Sequence, residues 1–153
     1  MTRAPIRVAV GLGCDRGTPL DTLQLALNEA LALAGVELTD VAAVASITLK
    51  ADEPGLLALA ALHGWTMVFY TPEQLAAVPV PNPSETVRRF TGTPSVSEAA
   101  ALLAGRACQA DLRVEKHKLR GMDGKNATVS IARAALPVSD SVSPPCSITI
   151  TTT

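Results

Sequence analysis

Aromatic side chains are scarce: one Trp, one Tyr and two Phe in 153 residues. The apolar content is carried by alanine, leucine and valine instead. Charge of one sign is also missing. Thirteen Lys and Arg against fourteen Asp and Glu leave a formal charge of -1, which excludes the electrostatic footprint of a nucleic-acid binder or a protein drawn to an anionic membrane surface. No apolar run is long enough to cross a bilayer. Met1 to Pro5 leads straight into an apolar strand, so no signal peptide is expected. The cysteines, Cys14, Cys108 and Cys146, are odd in number and too far apart for a zinc site. That pattern predicts no metal and fits a reduced, cytoplasmic protein. There is no internal repeat.

What is present is the pattern of one α/β domain, residues 1–136, followed by a Ser/Thr/Pro-rich tail, 137–153, whose last stretch, 147–153, could add a strand to an edge. The chain is organised around 8–18. Ile6 to Val10 reads as a buried strand. Gly11, Gly13 and Gly17 then allow a sharp turn, and Thr18-Pro19-x-Asp21 reads as an N-cap with proline at the first helical position. Strand, glycine loop and helix N-terminus together predict an anion site, with Arg16 as a forked donor in the same loop. Pro19 to Ala34 is predicted helical and stops at Gly35; Val41 to Thr48 is a second strand. Asp52 is expected to cap a helix running to His63, which Gly64 ends and His63 caps. Thr66 to Tyr70 is a third strand. Thr71–Gln74, Asn82–Glu85 and Ser95–Glu98 each open a short helix, the last closed by Gly105. Leu112–Leu119 and Ala127–Ala135 form an antiparallel hairpin. The expected architecture is a three-layer α/β/α domain with a mixed, mostly parallel sheet of about five strands.

In such a sheet ligands bind outside the carboxyl ends of the strands. That rule selects Gly11, Gly13, Cys14, Arg16, Gly17 and Thr18 in the first loop, Thr48, Lys50 and Glu53 in the second, and Asn82, Ser84, Ser95 and Glu98 beyond the third. Each hydroxyl or amide among them also has a plain reading as a helix cap. The glycine pattern resembles a dinucleotide fingerprint, but Lys50 stands where a ribose-binding acid belongs, so no nucleotide and no other cofactor is expected. Lys50 at a buried strand end needs a ligand, solvent or Glu53 as partner. Cys14 beside Arg16 and a helix start is placed to favour thiolate. Period-two alternation puts Leu112 and Val114 on one face with Lys116, Lys118 and Arg120, which is a pocket rim or a solvated sheet end.

Five stretches in order resemble one family: Gly13-Cys14-Asp15-Arg16-Gly17-Thr18, Thr48-Leu49-Lys50-Ala51-Asp52-Glu53, Val80-Pro81-Asn82-Pro83-Ser84, Ser95-Val96-Ser97-Glu98-Ala99-Ala100-Ala101, and Lys116-His117-Lys118 with Thr128-Val129-Ser130-Ile131-Ala132. Together they resemble the C-terminal domain of the cobalamin-biosynthesis protein CbiG, in the stand-alone form called CobE, over about residues 6–135. The resemblance implies a role in making the corrin ring, with a polycarboxylate tetrapyrrole intermediate as ligand and other pathway enzymes as partners. Full-length CbiG proteins open a lactone on a cobalt-precorrin. No N-terminal domain is expected ahead of these stretches, so binding and handling the intermediate is the expected function. The alternatives are a lactone hydrolase acting with a separate N-terminal partner, and a docking module for pathway enzymes. In the hydrolase, Glu53 or Glu98 would be the base and Lys50 would hold the oxyanion. Arg16, Lys50, Lys116 and Lys118 would meet the ring carboxylates.

Overall fold

The structure, a computed structural model, describes residues 6–81 and 95–134. The elements run β1 (Val8–Cys14), α1 (Leu20–Ala34), β2 (Val41–Ile47), α2 (Pro54–His63), β3 (Val68–Tyr70), α3 (Pro72–Ala76), α4 (Val96–Gly105), β4 (Leu112–Arg120) and β5 (Asn126–Arg133). They build a five-stranded sheet of order β3-β2-β1-β5-β4. β1 pairs in parallel with β2 and β2 with β3, whereas β5 runs antiparallel to both β1 and β4. The expected three-layer domain with a C-terminal hairpin is therefore what forms, with the hairpin docked beside β1. The expected helix from Asn82 and the tail lie outside the described residues.

β1 explains the layering. Its sequence, Val-Ala-Val-Gly-Leu-Gly-Cys, alternates large and small, and strand side chains alternate between faces. Val8, Val10 and Leu12 join Leu23, Leu27, Leu56, Leu59, Val129 and Ile131 in one aliphatic cluster beneath α1 and α2. Burying each of these side chains stabilises the fold by about 1.5–3 kcal/mol. Ala9, Gly11 and Gly13 face the other way, toward α4. There Ser97, Ala101 and Gly105, spaced one helical turn apart, bring the helix backbone down onto the strand. A Cβ at Gly11 would collide with the Ser97 carbonyl and lie 2.6 Å from the Ala101 nitrogen, and one at Gly105 would come within 3.0 Å of the Ala9 Cβ.

This overturns the reading of Gly11 and Gly13 as turn residues. The first strand continues through both to Cys14. Gly11 is a packing residue at a close helix–strand approach. Its conformational cost, about 0.5–1 kcal/mol relative to alanine, is accepted because any side chain would push α4 off the sheet.

Helix ends follow the sequence in part. Gly35 and Gly64 adopt the left-handed conformation and end α1 and α2, and Thr71 with Gln74 forms a reciprocal capping box. Gly105, however, lies inside α4, and Arg106 takes the left-handed position (φ 54) instead. Glu53, not Asp52, holds the cap position of α2. His63 does not cap α2; its Nε2 lies 2.6 Å from Gln24 Oε1 and its ring stacks on Trp65.

Two irregularities in the β4–β5 pairing break the alternation expected along β4. Val114 and Leu119 pack in the α1-side cluster, whereas Leu112 packs with Ala101 and Leu102 on the α4 side. The single basic face is thus divided. His117 turns toward α1, where Nε2 meets Glu29 Oε1 at 2.7 Å, and Lys116 turns the other way. Cys14 is a free thiol, and Cys146 lies outside the described residues.

Candidate functional site

Antiparallel insertion of β5 decides what gathers at one end of the sheet. β1 and β2 end there, β5 begins there, and β4 arrives there through Lys118 and Arg120, which pair with Thr128 and Asn126. The loops 15–18, 48–53 and 121–125 and the N-terminal ends of α1, α2 and α4 surround that end.

The loops are laced together by charge. Asp15 accepts the Asn126 backbone N–H (2.8 Å) and side-chain amide (3.1 Å) on one carboxylate oxygen. Its own backbone N–H donates to the Asn126 carbonyl. Arg16 reaches across to the second loop, where it donates to Asp52 Oδ1 at 2.9 Å, Glu53 Oε1 at 3.3 Å and the Leu49 carbonyl. Asp52 is held below the usual carboxylate range, first by that hydrogen bond and then by the charge of Arg16. Gly17, at φ 81, donates its N–H to Glu53 Oε2 at 2.9 Å.

These contacts correct the anion-cradle reading. The loop does present a backbone donor and an arginine to a negative group, as its sequence predicts, but the negative group is the protein's own Glu53, which is 1% exposed. Nor is Thr18 a cap. Pro19 holds that position, and the buried Thr18 hydroxyl donates to the Asp15 carbonyl at 2.7 Å. Thr18 and Glu53 line a groove of about 340 Å³ between the first turns of α1 and α2, together with Pro19, Leu20, Pro54 and Ala58.

Cys14 is a second correction. Burial raises its thiol to about 11, and the nearby charge of Lys50 only partly offsets this, so the group is a thiol and not a thiolate at neutral pH. Thr48 is exposed, and Lys50 is half-buried at the end of the turn that follows β2. The expected Lys50–Glu53 ion pair is absent among the described residues; Arg16 takes Glu53 instead.

On the α4 side, Ser95 occupies the cap position of α4 but makes no capping bond. Its Oγ is buried without a hydrogen-bond partner among the described residues, so the predicted Ser95–Glu98 box does not form. Glu98 is fully buried in the first turn of α4. Lys116 lies within its field: burial lowers the Lys116 ammonium and Glu98 raises it. Gly13 and Thr128 share this side, with Val96 above them, and Lys118 is exposed at the rim. Asn82 and Ser84 lie outside the described residues.

The fold therefore brings the first and second loops and β4 to one place, as the sequence reading required, but sets Glu53 and Glu98 on opposite faces of the sheet. It also adds residues that sequence reasoning missed. Asp52 anchors Arg16, Asn126 locks the hairpin to the first loop, and Lys125 lies against Gly17. Only the pairing of β5 with β1 reveals the last two, and no local signal announces it. No three metal-ligating side chains stand together among the described residues, and none of their helices is long and apolar enough to cross a membrane.

Comparison with known proteins places this geometry. Residues 8–132 match the family described as cobalamin synthesis G C-terminus. A cobalt-precorrin-5A hydrolase of Priestia megaterium is 36% identical over 128 residues, 84% of this chain but 32% of the hydrolase, so the chain spans about a third of that relative. Protein CobE of a Sinorhizobium species is 41% identical over 118 residues, covering 75% of each. The crystal structure of CobE, a protein from the cobalamin (vitamin B12) biosynthetic pathway, superposes with a TM-score of 0.71 at 33% identity, over 88% of this chain and 95% of that one. With this match over nearly all described elements, the chain belongs to the CobE/CbiG C-terminal family of cobalamin biosynthesis.

Proposed function

We propose that this chain binds a polycarboxylate tetrapyrrole intermediate of corrin synthesis at the loop end of its sheet, and holds it without cleaving it. The observation that carries the reading is the division of charge there. The carboxylates a hydrolytic step would use, Glu53 and Glu98, are buried, and Glu53 is engaged by Gly17 and Arg16. Lys50, Lys116 and Lys118 stand around the same end of the sheet. A flat ring edged with carboxylates suits such a rim, with Gly13, Val96 and Thr48 beneath it and the N-terminus of α4 adding a positive dipole. Arg16 serves in this reading as the clamp that sets the two loops, not as a direct ligand contact. The cytoplasm is the compartment that fits a partner of soluble pathway enzymes.

A second reading, a lactone hydrolase completed by a separate N-terminal partner, is favoured by one finding: the 36% identity to a cobalt-precorrin-5A hydrolase. Absorbance titrations with a metal-free corrin-ring acid such as hydrogenobyrinic acid, for binding, and with a lactone-bearing precorrin, for chemistry, each followed by mass analysis of the pigment, separate the two. Saturable binding with unchanged pigment mass is the expected result. A changed mass, alone or on adding an N-terminal fragment of a hydrolase, establishes an enzyme. No binding to any of several ring intermediates leaves a docking module for pathway enzymes.

A further inference from the structure

Two cations at the loop end of the sheet make no direct ion pair among the described residues, although acids stand in the same loops. Asp15 spends one carboxylate oxygen on both donors of Asn126. Asp52 and Glu53 are engaged by Arg16, and Glu53 takes the Gly17 N–H as well. Asp123 accepts the backbone N–H of Lys125 at 3.0 Å. Every acid in the three loops thus has a donor that is not a lysine ammonium. Among the described residues neither Lys50 nor Lys125 makes an ion pair. Both are half-buried, where a charge with no direct partner is costlier than in open water.

Their positions are fixed by the backbone. Lys50 closes the turn 48–50, whose Leu49 carbonyl is held by Arg16 and whose Lys50 carbonyl accepts the Glu53 N–H at 3.0 Å. Lys125 ends the hairpin turn. Its carbonyl accepts the Gly121 N–H at 2.8 Å, Gly124 supplies the left-handed residue, and the next residue, Asn126, is bonded to Asp15. The Lys125 side chain lies over the first loop: a Cβ at Gly17 would be 3.8 Å from both its Cε and its Nζ. One ammonium therefore approaches the first loop from the second loop and the other from the hairpin.

Resting on the tetrapyrrole reading above, we infer that Lys50 and Lys125 form a two-point grip for two carboxylates on one edge of the ring, and that Lys125 is a specificity-determining residue of this site. Each ammonium gains a direct carboxylate partner that the described residues do not supply. A ligand with only one edge carboxylate, or with its carboxylates amidated, loses this gain.

The test uses the full chain with Lys50→Met, Lys125→Met and the double variant. Methionine keeps the apolar stem and removes the charge. Hydrogenobyrinic acid and a form of it with every carboxylate amidated are titrated at fixed salt, with circular dichroism confirming each fold. The expected result is about a fivefold rise in Kd for each single variant and about 25-fold for the double toward the acid, in line with exposed charge pairs and independent sites. Toward the amide form the variants should match wild type. Wild-type binding of the acid with all variants within twofold of it overturns the grip and leaves the binding function standing. An equal loss toward acid and amide also overturns the grip, because charge recognition would then not be the cause. No wild-type binding of either pigment overturns both.

Discussion

The two faces of the sheet are built by opposite means. Toward α1 and α2, Val8, Val10, Leu12, Val44, Val129 and Ile131 meet a layer of leucines, and contact is made through long side chains. Toward α4, Ala9, Gly11, Ala45, Ser130 and Ala132 meet Ser97, Ala99, Ala100, Ala101 and Gly105, and contact is made almost backbone to backbone. The first face is apolar throughout its cluster. The second includes the Ser97–Ser130 hydroxyl pair at 2.8 Å, the buried Ser95 hydroxyl and the Glu98 carboxylate. The leucine face buries polar groups as well, but at its loop edge: Thr18, Glu53, and Ser46, whose hydroxyl donates to the Leu12 carbonyl at 2.6 Å. Both faces thus bring polar groups to the sheet end, the α4 face through its serines and Glu98 and the α1 face through the Arg16–Glu53 clamp, while the leucine layer is what holds the fold together.

The sharpest way to break this comparison is to add one carbon to the close face. Gly11→Ala should cost about 3 kcal/mol or more in chemical denaturation, because the new methyl overlaps backbone, which cannot rotate away. A loss under about 1 kcal/mol would mean that α4 does not sit this close, and the contrast between faces would fail. On the other face the matching test removes atoms. Leu27→Ala, fully buried, should cost about 3 kcal/mol through lost burial and the cavity left behind. One methyl added on one side and one isobutyl truncated on the other should therefore be comparable. The smallest effect concerns the rim of the leucine face, where Cys14 packs. With its thiol raised to about 11, iodoacetamide should modify native protein at pH 7 about 100-fold more slowly than the unfolded chain, since only thiolate reacts. The sign for stability follows. The contribution is full below pH 9 and is lost as pH rises from 9 through 11, because the unfolded thiol ionises first. Equal native and unfolded rates would mean that the leucine face does not desolvate its rim.

How much of this was legible beforehand differs by residue. The alternation of β1 stands in the sequence, yet glycine has two uses, in turns and in close packing, and only the helix opposite chooses between them. Gly17 is a turn residue and Gly11 is not, although each follows an apolar residue or an arginine in one short stretch. Thr18, Asp52 and Ser95 all satisfy the statistics of an N-cap and none makes a capping bond, because Asp15, Arg16 and burial claimed them or closed them off first. Arg16 and Glu53 were both legible as site residues. Their mutual engagement was not, since they lie 37 positions apart and meet only when β1 and β2 pair side by side.

By itself the sequence determined the class of fold. Period-two apolar runs, helical periodicities and glycine stops are local, and local sterics and burial act on them before any tertiary contact exists. It also determined which strand ends would carry polar loops, and the ordered motifs placed the chain in its family. Only the tertiary structure decided which charges are left over. Whether a carboxylate or an ammonium is available to a ligand depends on which partner arrives within hydrogen-bond distance. Here those partners come from loops brought together by the antiparallel insertion of β5 between β1 and β4.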